Sequence, residues 1–194
     1  KGYNDSANVA EGVKWYKKAV NQGDYEAMTE LAMLYLYHKD IEPNLVEGLN
    51  LLQTASEANY GKALTQLSIL YQNGKVVKQD MPFAVKGFKT AAELGDIEAL
   101  YQLGVAYRTG KGVEKNPQFA IVWYQKAATQ NHRDSQFSLG FMHEKGIGTE
   151  ASESNAKKYY TDAALQGCMM AQYQLGVLFQ NGAVRSDKES AKWF

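Results

Sequence analysis

Residues 99–128 read ALYQLGVAYRTGKGVEKNPQFAIVWYQKAA, and the pattern of this stretch returns along the chain at a fixed interval. One row of alanines is spaced by 36 residues: Ala19, Ala55, Ala91, Ala127 and Ala163. Leucines form a second row: Leu31, Leu67, Leu103, Leu139 and Leu175. A third row is aromatic except for one histidine: Tyr35, Tyr71, Tyr107, His143 and Phe179. Such a period is typical of a solenoid, whose units bury their apolar faces against their neighbours.

Each unit is predicted to contain two helices. Apolar residues recur three or four positions apart from Asp24 to about His38, which indicates a helix with one buried face, called helix A. The same spacing from Asn44 to about Ala58 indicates a second helix, called helix B. No segment alternates like a strand. The chain is therefore expected to be all-α, built from antiparallel helix pairs of about 36 residues each.

Residues suited to begin and end helices also recur in register. Short polar side chains suit the N-cap of each helix B, where they can accept a hydrogen bond from a free backbone N–H: Asn8, Asn44, Asp80, Asn116 and Ser152. Glu11 and Glu47 follow two of these caps by three residues, as in a capping box. After helix B stand residues that readily adopt the left-handed conformation: Gly23, Asn59, Gly95, Asn131 and Gly167. The loop 37–43 lacks the glycines of later units and is expected to follow another path.

Small residues predict a close approach of the two helices within a pair. One row on helix A holds only small side chains, and we expect the alanine row of helix B to face it: Ala32, Ser68, Gly104, Gly140 and Gly176. Two neighbouring rows on helix B hold large side chains, and Gly87 interrupts the first of them. We expect a smaller neighbour or a small gap at that glycine.

Composition limits the classes of partner. The chain has 21 basic and 21 acidic residues, and a net charge of +0 disfavours nucleic acid and anionic membrane surfaces. No apolar stretch approaches the roughly 18 residues of a membrane span, so direct membrane insertion is not expected. Cys168 is the single cysteine, which excludes an internal disulfide and leaves the redox compartment open.

The rows of the quoted stretch closely resemble the Sel-1-like repeat, a relative of the tetratricopeptide repeats. The resemblance rests on Ala99, Leu103-Gly104, Tyr107, Gly110-Lys111-Gly112-Val113, Asn116, Ala120, Trp123-Tyr124 and Ala127-Ala128. It implies a right-handed superhelical solenoid of helix pairs, with the A helices lining the concave side, that acts as a scaffold or adaptor. We expect one solenoid over residues 1–194, with about five full repeats and partial repeats at both ends, as part of a longer array.

Few residues suggest catalysis. The three histidines, His38, His132 and His143, match no common metal or catalytic spacing. His143 is expected to be half-buried with one ring nitrogen hydrogen-bonded. Cys168 stands at a predicted helix start without an evident base, and Ser154 matches a Ser-x-x-Lys spacing by accident inside a helix B. The prediction is that the protein is not an enzyme and holds no metal or cofactor.

The concave side implied by the resemblance is the expected binding surface. Amides there could bond the backbone of an extended peptide while rings contact its side chains. The predicted contact residues are Glu26, Thr29, Leu36, Tyr37, Gln66, Gln72, Asn73, Tyr101, Gln102, Arg108, Phe137, Glu144, Tyr173 and Gln174. Two alternatives stay open. The rings could pack against the adjacent A helix, and Leu36 with Tyr37 could seal the loop that follows them.

Three functions are compatible with these residues to different degrees. The first is a non-catalytic scaffold that binds a protein or an extended peptide. The second is an inhibitor or immunity protein that caps a secreted toxin or enzyme, since related repeat proteins serve that role in bacteria. The third, a hydrolase acting through Cys168 or Ser154, lacks assembled partners for either nucleophile. A monomer is expected, and the resemblance alone favours a location outside the cytoplasm.

Overall fold

The computed structural model describes residues 5–181, which form ten α-helices and no strand. The helices are α1 (Asp5–Val20), α2 (Tyr25–Tyr37), α3 (Leu45–Glu57), α4 (Gly61–Asn73), α5 (Met81–Glu93), α6 (Ile97–Thr109), α7 (Pro117–Thr129), α8 (Arg133–Lys145), α9 (Glu153–Leu165) and α10 (Met169–Asn181). The even-numbered helices are the A helices and the odd-numbered ones the B helices. The all-α class and the repeated helix pairs are confirmed.

The chain divides into two compact units, unit 1 over Lys1–Ala99 and unit 2 over Leu100–Phe194. In unit 1, each helix from α1 to α5 packs against the next, and α2 also contacts α4. In unit 2, α7 packs on α8, α8 on α9, and α9 on α10. The prediction of a single solenoid over residues 1–194 stays a prediction.

The periodic rows form the core of both units. Ala55, Ala91, Ala127 and Ala163 are inaccessible to solvent, and the leucine row from Leu31 to Leu175 is buried throughout. These rows lie on the faces by which neighbouring helices contact each other, so the period in the sequence is the period of the interior.

The helix ends agree with the sequence at four of five predicted N-caps. The side chains of Asn44, Asp80, Asn116 and Ser152 each accept a hydrogen bond from a backbone N–H three residues later. Asn8 is the exception, because α1 begins at Asp5 and encloses it. Glu11 pairs with Lys14 at 3.0 Å instead of closing a capping box. The predicted left-handed row is confirmed, and its five members all have φ between 60° and 89°.

One cap allows a measurement in unit 2. The Asn116 side chain accepts a hydrogen bond of 2.9 Å from the Phe119 N–H at the start of α7. We expect Asn116→Ala to lower the free energy of unfolding by about 0.5–2 kcal/mol, because that N–H loses its partner. Urea denaturation followed by circular dichroism tests this. Asn116→Ser, which keeps an acceptor, should cost less, and equal losses for the two variants would contradict the capping role.

The small-residue row of helix A was expected to meet the alanine row, and Ala32 does share a core cluster with Ala55. At Gly104 and Gly140, however, the row faces large rings. A Cβ added at Gly104 would lie 2.4 Å from the Tyr124 ring, and one at Gly140 would lie 2.5 Å from the Tyr160 ring. These glycines make room for a tyrosine of the following B helix. The interruption at Gly87 has a similar cause, because a Cβ there would lie 2.0 Å from the Ser68 hydroxyl oxygen. The expected gap is a close contact.

The loop between α2 and α3 takes another path, as predicted. His38 ends α2 in an extended conformation, whereas Gly74 and Gly146 end α4 and α8 in the left-handed region. The end of this loop has the same hydrogen bond as the equivalent loops of later repeats. The Asn44 N–H donates to the Tyr35 carbonyl at 3.3 Å. Ser152 makes the same bond to the His143 carbonyl at 2.8 Å in unit 2.

Candidate functional site

One row on the A helices contains the rings predicted to bind a peptide, and we call it the ladder row: Thr29, Thr65, Tyr101, Phe137 and Tyr173. Its members in unit 1 are buried. The Thr29 hydroxyl donates to the Tyr25 carbonyl at 2.8 Å, and the Thr65 hydroxyl donates to the Asp96 carboxylate at 2.7 Å. Thr29 is inaccessible to solvent, so its predicted place on a contact surface is wrong.

Two rings of the ladder row in unit 2 pack inside that unit. Tyr101 lies 5.0 Å from the His132 ring and 5.9 Å from the Tyr124 ring, measured between centroids. Phe137 lies 5.6 Å from Tyr160 in the same way. Both are half-buried. Both rings therefore pack inside the unit, and each contacts a tyrosine of the following B helix, whereas the packing alternative had named the adjacent A helix.

Tyr173 differs from the rest of the ladder row. Its side chain on α10 is 58% exposed, and Met170, three residues earlier on the same helix, is 63% exposed. Gln174 and Gln102 are half-buried. The exposed part of the ladder row therefore lies on α10.

Arg108 and Glu144 occupy equivalent positions on α6 and α8, where they serve buried tyrosines. The Arg108 guanidinium donates to the Tyr124 hydroxyl at 3.3 Å, and the Tyr160 hydroxyl donates to the Glu144 carboxylate at 2.7 Å. Burial raises the pKa of both tyrosines, and the contact with Glu144 raises that of Tyr160 further. Glu144 thus favours the neutral phenol of Tyr160, whereas Arg108 lowers the pKa of Tyr124 and partly opposes the effect of burial. The sequence did not indicate that either charged side chain bonds a buried tyrosine.

The remaining predicted contact residues lie in unit 1. Leu36 is buried, and a Cβ added at Gly48 of α3 would lie 3.0 Å from Leu36 Cγ, so Leu36 packs against α3. Tyr37 is exposed. Glu26 and Asn73 are also exposed, while Gln66 and Gln72 are half-buried.

The candidates for catalysis are dispersed. The His132 ring caps α8 by accepting a hydrogen bond from the Ser135 N–H at 3.2 Å. Cys168 is half-buried just before α10, and Ser154 is exposed on the first turn of α9. Among residues 5–181, no three His, Cys, Asp or Glu side chains are grouped so that they could hold a metal ion.

His143 is more deeply buried than predicted. The side chain is 8% exposed and its ring stacks on Tyr159 at 5.5 Å, with an angle of 9° between the planes. Nδ1 is buried without a hydrogen-bond partner among the described residues. Burial lowers the pKa of His143.

This burial predicts a specific pH dependence. The unfolded chain binds the His143 proton near its ordinary pKa of about 6.5, whereas the folded protein binds it only at lower pH. The contribution of neutral His143 to stability should therefore be complete above about pH 6.5 and should be lost as the pH falls toward the lowered pKa. Phenylalanine occupies the equivalent position of the next repeat, at Phe179. We therefore expect His143→Phe to remove that part of the pH dependence. Urea denaturation of both proteins between pH 7.5 and pH 5 tests it, and parallel stability curves would contradict it.

None of the helices in the described part of the chain combines the length and the apolar character needed to cross a bilayer.

Comparison with known proteins identifies the repeat. The Sel1 repeat model matches residues 1–24, 26–60, 61–96, 97–132, 133–168 and 170–194. A Sel1 repeat protein from Oxalobacter formigenes is 29% identical, with a TM-score of 0.86 over 93% of this chain and 75% of that one. The protective antigen c5321 of uropathogenic Escherichia coli, described as having an SLR fold, is 27% identical, with a TM-score of 0.83. That match covers 93% of this chain but only 39% of the antigen.

The immunity protein Pa5087 from Pseudomonas aeruginosa is a third similar structure, at 26% identity and a TM-score of 0.61 over 94% of this chain and 66% of that one. A comparison with curated protein sequences found no match. The family model covers nearly the whole chain in successive units whose bounds follow the observed helix pairs. This chain belongs to the Sel1 repeat family.

Proposed function

We propose that this protein is a non-catalytic scaffold that binds a partner protein or an extended peptide on the A-helix side of unit 2. The Sel1 repeat is in general a protein-interaction fold without catalytic activity, which supports the scaffold class. The observation that carries the location is the exposure of Tyr173 and Met170 on α10. Large exposed apolar side chains close together are typical of interaction surfaces.

The surface has the chemistry that a polypeptide requires. Tyr173 offers a ring with a polar hydroxyl, and Met170 offers a flexible apolar side chain that adapts to its neighbours. Gln174 lies beside Tyr173 in the chain and carries an amide able both to donate to and to accept from a peptide backbone. The half-buried rings of Tyr101 and Phe137 extend the apolar surface toward α6 and α8.

Site-specific cross-linking tests the location. A photoreactive phenylalanine derivative at position 173 should cross-link the native partner in extracts of the source organism. The same group at exposed Glu57, at the end of α3 in unit 1, is the control and should not. Cross-linking from position 57 but not from position 173 would refute the placement on unit 2.

The affinity of the purified partner for Tyr173 variants then measures the contribution of the Tyr173 ring to binding. We expect Tyr173→Ala to weaken binding by about tenfold, as is usual for a central aromatic contact. The variant should keep its stability, because Tyr173 is mostly exposed. Tyr101→Ala is unsuitable for this purpose, because Tyr101 packs on Tyr124 and His132. Unchanged affinity in Tyr173→Ala would contradict the proposal.

A second candidate function is inhibition of a toxin or enzyme, as an immunity protein. Its support is the similarity over 94% of this chain to the immunity protein Pa5087. The two functions differ in the nature of the cross-linked partner. If the partner is an enzyme whose activity falls in proportion to the amount of this protein added, its function is inhibition. An unaffected enzyme or a non-enzymatic partner would favour the scaffold function.

A further inference from the structure

A cavity of about 390 Å³ lies between two B helices of unit 2. The B helices α7 and α9 contribute its walls, through Gln125 and Thr129 on one side and Lys158, Tyr159 and Asp162 on the other. Gln136, from the intervening helix α8, also lines it. The volume falls within the range of small-ligand sites, about 300–1,000 Å³. Tyr173 and Met170 are not among its lining residues.

Gln136 is a rigid part of this cavity. Its side chain is only 5% exposed, in a row that holds Met28, Leu64 and Leu100 in the preceding repeats. Its oxygen accepts a hydrogen bond of 2.6 Å from Gln166, and its nitrogen donates to Asn131 at 3.3 Å. Gln166 also donates to Asn131 at 3.2 Å. An amide has two N–H groups and two lone pairs, so one of each is not used in these bonds.

The opposite wall is also held in place and carries two charges. The Tyr159 ring stacks on His143 from α8, which fixes its orientation. Lys158 and Asp162 are one helical turn apart on α9, and neither forms an ion pair or hydrogen bond within the described residues. The Lys158 ammonium lies 5.7 Å from the Tyr159 ring centroid. A cation and an anion therefore border the cavity in a fixed order along α9.

The spacing of these charges matches that of an extended peptide. Four residues of helix separate the two backbone positions by about 6 Å. In an extended chain, side chains on the same face are two residues apart, or about 6.6 Å. A peptide could therefore place an acidic side chain against Lys158 and a basic side chain against Asp162 if one peptide residue separates the two. Gln125 and Gln136 can then bond the peptide backbone.

We infer that this cavity binds an extended peptide segment in which an acidic and a basic residue are separated by one residue. The site is built from α7, α8 and α9 and does not depend on the proposed surface around Tyr173. Either surface can therefore fail its test without affecting the other.

A peptide titration tests the inference directly. The probe is the tripeptide Glu-Gly-Lys, acetylated and amidated at its ends, added to the ¹⁵N-labelled full chain and followed by NMR. The matched control is Gly-Glu-Lys with the same end groups, which has the same composition and charge but places the two charged side chains on opposite faces. We expect Glu-Gly-Lys to shift the side-chain amide signals of Gln125 and Gln136, and to do so less at high salt. Equal shifts with both tripeptides, or shifts elsewhere in the chain only, would overturn the inference.

Variants of the charged residues provide the second arm. Lys158→Gln and Asp162→Asn should each weaken binding of Glu-Gly-Lys by about threefold, the usual scale for an exposed ion pair. Lys126→Gln, which removes an exposed charge of α7 outside the cavity lining, should leave the affinity unchanged. All three positions are on the helix surface, so we expect each variant to keep the fold. Its backbone amide spectrum verifies this. Full affinity in the double variant Lys158→Gln with Asp162→Asn would refute the site.

Discussion

Leu103→Ala is expected to lower the free energy of unfolding by about 2–5 kcal/mol. Leu103 lies on α6 in the periodic leucine row and is inaccessible to solvent. Truncation removes buried methyl groups and leaves a cavity that the close-packed residues around it can fill only in part. Urea denaturation followed by circular dichroism measures the loss.

The matched control for this variant is Gln118→Ala on the exposed side of α7. An exposed substitution of this kind should change stability by less than about 0.5 kcal/mol. If Leu103→Ala were as stable as the control, the leucine row would not be the core of the repeat and the assigned phase would be wrong.

Gly140→Ala is expected to cost about 1–3 kcal/mol, although alanine is the better helix former. The added methyl group would lie 2.5 Å from the Tyr160 ring, which is buried and whose hydroxyl bonds Glu144. The ring cannot move without disturbing that bond. Gly12→Ala in α1 is the control, because nothing lies within 4 Å of the new Cβ there. The control should gain about 0.5–1 kcal/mol from helix propensity alone.

A double-mutant cycle identifies the cause. In unit 1 the positions equivalent to Gly140 and Tyr160 hold Ala32 and Leu52, which share one core cluster. Alanine is therefore compatible with this fold when the opposite side chain is smaller. We expect Gly140→Ala to cost less in a Tyr160→Leu background than in the natural protein. An equal cost in both backgrounds would show that the tyrosine ring does not select the glycine.

The candidate site was only partly predictable. Tyr37 and Tyr173 are exposed, whereas Thr29 and Leu36 are buried. The position of a residue in the repeat predicts the side of the helix from which its side chain projects. The exposure of that side chain depends also on the size of the side chains that neighbouring helices place against it. The cavity lined by Gln136 was missed entirely. One feature of the sequence did indicate it, because Gln136 stands in a row of otherwise apolar residues. That glutamine alone does not reveal that Asn131 and Gln166 form a hydrogen-bond network with it.

The sequence by itself determined the local structure of this protein. Regular spacing of apolar residues established the helix pairs, and polar residues such as Asn116 and left-handed positions such as Asn59 and Asn131 set their ends. These features depend on backbone hydrogen bonds and steric limits within a few residues, so one chain segment suffices to determine them. The tertiary structure alone decided that Gly140 faces the Tyr160 ring, that Glu144 bonds its hydroxyl and that His143 stacks on Tyr159. Such choices depend on how side-chain volumes from different helices fill a shared interior, which no single segment specifies.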